Sequence, residues 1–320
     1  MSMQTNRTII LNIFLAAVGC FNTAAAQQPG NDIDLESLYQ QIDEAIEHSL
    51  QYETEREQQI DDTRRLFLTE HNQEKKLSVA EKLFALYSPY QNDSALCYGA
   101  ACISIADSLR RPDLAGRYRS MQALQYSNAG MYTEVLQLLQ QVDKSALDRQ
   151  GLTAYYHACM HVYGQMGNYT QPKSVQQGYY ERQDLYRDSV LMVAEEGSEA
   201  YFHFQMDVLC ARQLYQDALL VSDEWLKMVS EGTHEGAYAA FYRSVVYNKL
   251  GNGEQMRYWL GMSALNDIKS AVRDQAALIM LAEQLSNDGD HERAYRYTCF
   301  SRDCNMAFYP YLRFSFKCGS

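Results

Sequence analysis

The chain has 320 residues and carries 40 acidic against 28 basic side chains, a formal charge of −12. Binding a phosphate backbone needs concentrated Lys and Arg, so this balance argues against a broad nucleic-acid surface, and no direct nucleic-acid binding is expected. Hydrophobic types at 47% against 21% charged place the chain among folded proteins rather than disordered ones.

Residues 1–26, MSMQTNRTIILNIFLAAVGCFNTAAA, read as a secretory signal peptide. Arg7 supplies the positive flank, and the apolar run from Ile9 to Phe21 is too short to span a bilayer comfortably. Ala24 and Ala26 satisfy the small-x-small cleavage rule before Gln27. The expected address is the periplasm. The alternative is lipidation at Cys20, giving an inner- or outer-membrane lipoprotein, although Ala17 stands where such signals usually carry Leu. Apart from an uncleaved signal or a lipid on Cys20, no membrane attachment is expected, because no apolar run of 18 follows residue 26. Cleavage leaves seven scattered cysteines, a poor disulfide framework, and most are expected to be small buried hydrophobes.

The body reads as helix after helix. From Asp32 to about Asp62, Leu35, Leu38, Ile42, Ala45 and Ile46 recur at helical spacing against a face of Gln, Glu and Asp. This N-terminal amphipathic segment covers 27–72. The next helix, Gln73 to Tyr87, is stopped by Ser88-Pro89, and the helix Ala95 to Leu109 ends near Arg111-Pro112. Then a pattern recurs: a helix, a short turn and a second helix. The turns are anchored at Gly130, Gly167, Gln213, Gly251 and Gly289, with separations of 37, 46, 38 and 38 residues. Tyr90 is an earlier anchor.

A helix–turn–helix unit at this period signals a solenoid, close to the tetratricopeptide repeat of 34 residues. Seven places before the anchors and five after them, small or compact residues recur, as in Ala123 with Val135 and Ala282 with Ala294. Small side chains at those places let two helices cross closely. Met160 with Pro172 breaks the rule, so an insertion is expected near 170–195, with an irregular loop and then a helix from about Val175 to Glu195. The fold expected is all-α, a right-handed α-solenoid of tetratricopeptide-like helix pairs over 73–305. The last residues, 306–320, form an atypical tail. Phe308, Tyr309, Tyr311, Phe314 and Phe316 crowd around Pro310 there, and an exposed tail of this kind favours a weak homodimer.

No GxSxG, phosphate loop, dinucleotide fingerprint, HExxH or EF-hand pattern is present, so no catalytic residue, cofactor or metal site is assigned. One constellation follows from the repeat register. His157 and His203 each fall ten places before their anchors, and His161 and Asp207 each fall six before. In tetratricopeptide arrays these places on the first helix line the concave groove. His157, His161, His203 and Asp207 are therefore the groove candidates. The competing reading makes them ordinary half-buried polar residues of the helix stack, since a register error of one residue disperses the patch.

The stretches LESLYQQIDEAIEHSLQYETEREQQIDD (35–62), YQNDSALCY (90–98), AGMYTEVLQLL (129–139), YYHACMHVYGQM (155–166), YYERQDLYRDSVL (179–191) and RYWLGMSALNDIKSAVRDQAALIMLAEQLSNDGDHERAYRY (257–297) carry a family resemblance. They resemble the tetratricopeptide-repeat sensor region of a family of membrane-bound regulators from Bacteroides and relatives. The resemblance covers roughly 30–305. In that family the repeat region precedes a transmembrane helix and a regulatory part, and it lies on the periplasmic side. Here SRDCNMAFYPYLRFSFKCGS stands where the family continues toward the membrane.

The resemblance implies a non-catalytic periplasmic module, the sensor part of a signalling or transcription-regulating system. Its groove would take a peptide, a protein segment or a small envelope ligand. Two alternatives stand beside it: a truncated remnant of a longer regulator, and a helical-repeat envelope enzyme acting on glycans.

Overall fold

The computed structural model describes residues 34–309. The signal-peptide reading, Cys20 and the tail from Pro310 onward lie outside the described residues. Among those described, every regular element is helical. In chain order they are α1 (Leu35–Glu47), α2 (Ser49–Thr69), α3 (Gln73–Tyr87), α4 (Asn92–Ser108), α5 (Pro112–Asn128), α6 (Tyr132–Gln140) and α7 (Arg149–Tyr169). They continue as α8 (Lys173–Val193), α9 (Glu199–Ala211), α10 (Tyr215–Met228), α11 (His234–Lys249), α12 (Gly253–Lys269), α13 (Ala276–Asp288) and α14 (His291–Phe308). From α3 onward they form antiparallel pairs, a tetratricopeptide-like solenoid with α3, α5, α7, α9, α11 and α13 as first helices.

Local chemistry sets the boundaries. Side-chain caps accept from the first-turn amides at Asn72 to Lys75 N (3.0 Å), Asp148 to Gly151 N (2.8 Å), Asn252 to Gln255 N (3.1 Å) and Asp290 to Arg293 N (3.1 Å). Pro112 opens α5 at a position where its missing N–H costs nothing. Four of the five turn anchors sit in the left-handed region: Gly130 (φ 75°), Gln213 (φ 59°), Gly251 (φ 74°) and Gly289 (φ 93°).

Gly167 differs. It lies inside α7, which continues to Tyr169, and a Cβ on it would stand 2.6 Å from Tyr180 Cε1. A Cβ on Gly164, one turn earlier, would stand 2.5 Å from Gln183 Nε2. These two glycines provide the close crossing of α7 with α8. Met160 is buried elsewhere, with Val190, Ala194 and Phe204, and Pro172 is an exposed cap residue. Residues 173–193 are thus the second helix of an ordinary pair. The step of 46 residues arises because α7 and α8 are each 21 residues long.

The described residues divide into two compact units, 57–204 and 34–56 with 205–309. In the first, Ala123 and Val135 are fully buried in one cluster with Leu139, Ala158, Cys159 and Val162. Leu83 and Ala95 share another with Phe84, Tyr87 and Tyr90. Tyrosines fill the space between α7 and α8: Tyr163 and Tyr186 stack at 5.7 Å and 1°.

In the second unit the first helix of the described chain packs onto the last ones. Leu38, Tyr39, Ile42 and Ala45 make the buried face of α1. Leu38 Cδ2 would lie 2.8 Å from a Cβ on Gly261 of α12. Tyr297 Oη of α14 donates to the Tyr39 carbonyl at 3.2 Å. Arg293 pairs with Glu36 (2.8 Å) and Asp43 (3.2 Å), and Arg296 pairs with Asp43 (2.9 Å). The periodicity from Asp32 to about Asp62 predicts one continuous amphipathic segment. The chain breaks at His48, whose Nδ1 lies 2.8 Å from the Glu44 carbonyl.

Candidate functional site

The four groove candidates all sit on first helices, His157 and His161 on α7 and His203 and Asp207 on α9. Helical periodicity puts residues four apart on one face. The face in question is the seam between successive first helices. In the first unit, the His157 and His203 rings meet edge to face at 5.6 Å, and Phe204 packs against both at 4.9 Å. His161 Nδ1 lies 2.9 Å from Ser127 Oγ on α5. In the second unit Asp207 accepts from Tyr242 Oη of α11 at 2.8 Å.

The geometry therefore brings His157 and His203 together and gives His161 and Asp207 different partners. A fourth rung has the same construction: Glu81 of α3 accepts from Arg117 (2.6 Å) and Tyr118 (2.9 Å) of α5. Sequence reasoning missed Ser127, Tyr242 and Glu81. A signal for them exists. Ser127 and His161 are 34 residues apart, and Asp207 and Tyr242 are 35 apart, one repeat length in each case. Polar partners on neighbouring first helices must recur at that offset.

Electrostatics follow from the packing. Burial, then the neighbouring His203 and His161, hold the His157 imidazole well below its ordinary 6.5. Burial, then His203, lowers His161 to about 4. Both rings are neutral at pH 7, each with one donor and one acceptor nitrogen. Burial and then the Asp207 charge push the Tyr242 hydroxyl well above 10, so it remains a donor. The neutral, half-buried His157 imidazole in ring contact with Phe204 holds helices together and is a poor catalytic base. Among the described residues no group of three His, Cys, Asp or Glu side chains is placed to hold a metal.

Two other features involve different residues. A recess of about 350 Å³ between the facing ends of α2 and α3 is lined by Leu66, Thr69, Glu70, Lys75, Ser78 and Val79. On α11, Tyr238 is 44% exposed one turn before Tyr242 and packs at 4.6 Å on His234, which meets the buried Asp267 at 2.8 Å.

With helix pairs, close crossings and first-helix rungs described, the family assignment follows from comparison. The profile of the SusR N-terminal TPR domain matches residues 46–315. The chain belongs to that family. The SusR N-terminal TPR match spans every helix pair and all of α2, so the fold and the family describe the same residues. Membership makes the chain a tetratricopeptide-repeat module, of the kind that binds rather than catalyses. A search among curated proteins returned no match.

Proposed function

We propose that the chain is a periplasmic sensor module that takes a peptide, a protein segment or a small envelope ligand on its first-helix face. The family match over 46–315 carries this reading, because it ties the helix pairs to the N-terminal repeat domain of a SusR-type protein. The signal-peptide pattern in residues 1–26 supports export. No described helix is long and apolar enough to cross a membrane. The rungs between first helices keep that face in a fixed geometry, and fixed geometry lowers the ordering cost of binding.

The test is recovery of the chain from its native cell. Osmotic release, N-terminal sequencing and native mass spectrometry should give a protein beginning at Gln27 with a retained non-covalent ligand. A chain found in the cytoplasm with residues 1–26 intact would overturn the reading.

A further inference from the structure

In the second unit, the segment between α12 and α13 is a meeting point of helices. The Ser270 carbonyl accepts from Arg56 Nη2 of α2 at 2.7 Å. Arg273 reaches Glu53 of α2 at 3.2 Å and the Ala307 carbonyl of α14 at 3.4 Å. Ser301 Oγ of α14 donates to the Gln275 carbonyl at 3.3 Å.

The segment turns through Ala271, a non-glycine residue at φ 53°, a conformation that crowds the Cβ. That turn closes on Asp267, whose carbonyl accepts from Val272 N at 2.9 Å. Asp267 is 7% exposed, and its carboxylate meets His234 Nδ1, at the start of α11, at 2.8 Å. One residue thus fastens the strained turn with its carbonyl and α11 with its carboxylate. Asp274, half-buried at the end of the segment, adds a second carboxyl to the same surroundings.

We propose that His234, Asp267 and Asp274 form a proton-operated clasp on residues 270–275, closed in acid and loosened as pH rises, which sets how firmly residues 35–56 are held on the C-terminal helix pairs.

The charges acting on His234 are Asp267 on α12, Asp274 in the segment and Glu235 on its own helix. Tyr238 packs on its ring, Lys269 lies beside Gly232, and Arg273 is turned to Glu53. Burial works against a charged His234, but the hydrogen bond and charge of Asp267 outweigh it and raise the pKa above 6.5. Burial, then the Asp267 charge, pushes Asp274 up to about 6. Burial also raises Asp267, and His234 pulls it back.

As pH falls below about 6, Asp274 becomes neutral and a charged His234 faces Asp267. Rising pH first ionises Asp274 and then discharges His234, leaving two buried carboxylates without the cation. Groups whose folded pKa is raised contribute stability in acid and lose it as pH rises through that pKa. The strained turn on Asp267 is the element freed by the loss.

Amide hydrogen exchange on the full chain at about pH 5 and about pH 8, corrected for intrinsic rates, tests the clasp. Opening of residues 35–56, 230–236 and 268–276 should increase at the higher pH, by up to about tenfold per unit of raised pKa, with residues 77–106 unchanged. Asp274→Asn and His234→Gln should each reduce the difference, and the double variant should abolish it. Equal protection at the two pH values, or a full difference that survives in either single variant, would overturn the proposal. NMR of labelled histidines gives an independent reading that needs no stable variant. His234 should titrate above 6.5, and a titration at or below 6.5 contradicts the clasp.

Discussion

Gly261 on α12 faces Leu38 on α1 so closely that a Cβ at position 261 would stand 2.8 Å from Leu38 Cδ2. This contact joins the start of the described chain to its last helix pairs within one unit. Gly261→Ala should displace Leu38 and destabilise that unit by about 1–3 kcal/mol, the usual cost of overpacking. Hydrogen exchange should locate the loss in residues 35–47 and 257–265. Wild-type protection there would mean that α1 yields without cost.

The α7–α8 crossing is tested by Gly167→Ala. The new methyl would meet the Tyr180 ring at 2.6 Å, and that ring is held by its hydroxyl on Asn168 Oδ1 at 2.9 Å. A loss of about 1–3 kcal/mol in chemical denaturation is expected, against a gain of about 0.5–1 kcal/mol for Gly178→Ala, a mid-helix glycine with nothing within 4 Å. Equal effects at the two positions would show that no tight crossing exists.

Gln213 occupies a left-handed turn that other pairs give to glycine. Gln213→Gly removes the Cβ penalty and should stabilise by about 1 kcal/mol, seen as a higher denaturation midpoint. A lower midpoint would mean that the glutamine side chain contributes more than the backbone strain costs.

The two units should respond to acid in opposite directions. His157 and His161 have folded pKa values depressed below 6.5, so their stabilising contribution is present above 6.5 and is lost as pH falls toward about 4. His234 and Asp274 are raised, so theirs is present in acid and is lost as pH rises. Exchange protection of residues 150–165 should weaken between pH 6.5 and 4 while that of residues 230–276 holds. A parallel decline in both segments would contradict the assignment of these groups.

The helix pairs were legible in the sequence because turn glycines and small crossing residues repeat at a fixed interval. Ala123 with Val135 and Leu83 with Ala95 pack as that interval requires. Gly167 was misread because a glycine in a close crossing and a glycine in a turn look alike in one dimension. The six-residue segment after α12 was also hidden. The left-handed Ala271 and the Val272 amide bond to Asp267 delay α13 until Ala276. Placing the four polar candidates on first helices needed only the register. Their partners needed the next helix, since Ser127 and Tyr242 lie a full repeat away. The packing of α1 on Arg293 and Gly261 had no local signal, being a contact across more than 200 residues.

The proposed binding of an envelope partner on the first-helix face is checked by site-specific photo-crosslinking in the native cell. A photoreactive residue replaces Tyr238, 44% exposed on the first helix α11, or Leu220, 65% exposed on the second helix α10. A discrete crosslinked species is expected from position 238, and none from position 220. Crosslinks from position 220 alone, or the same products from both positions, would contradict it.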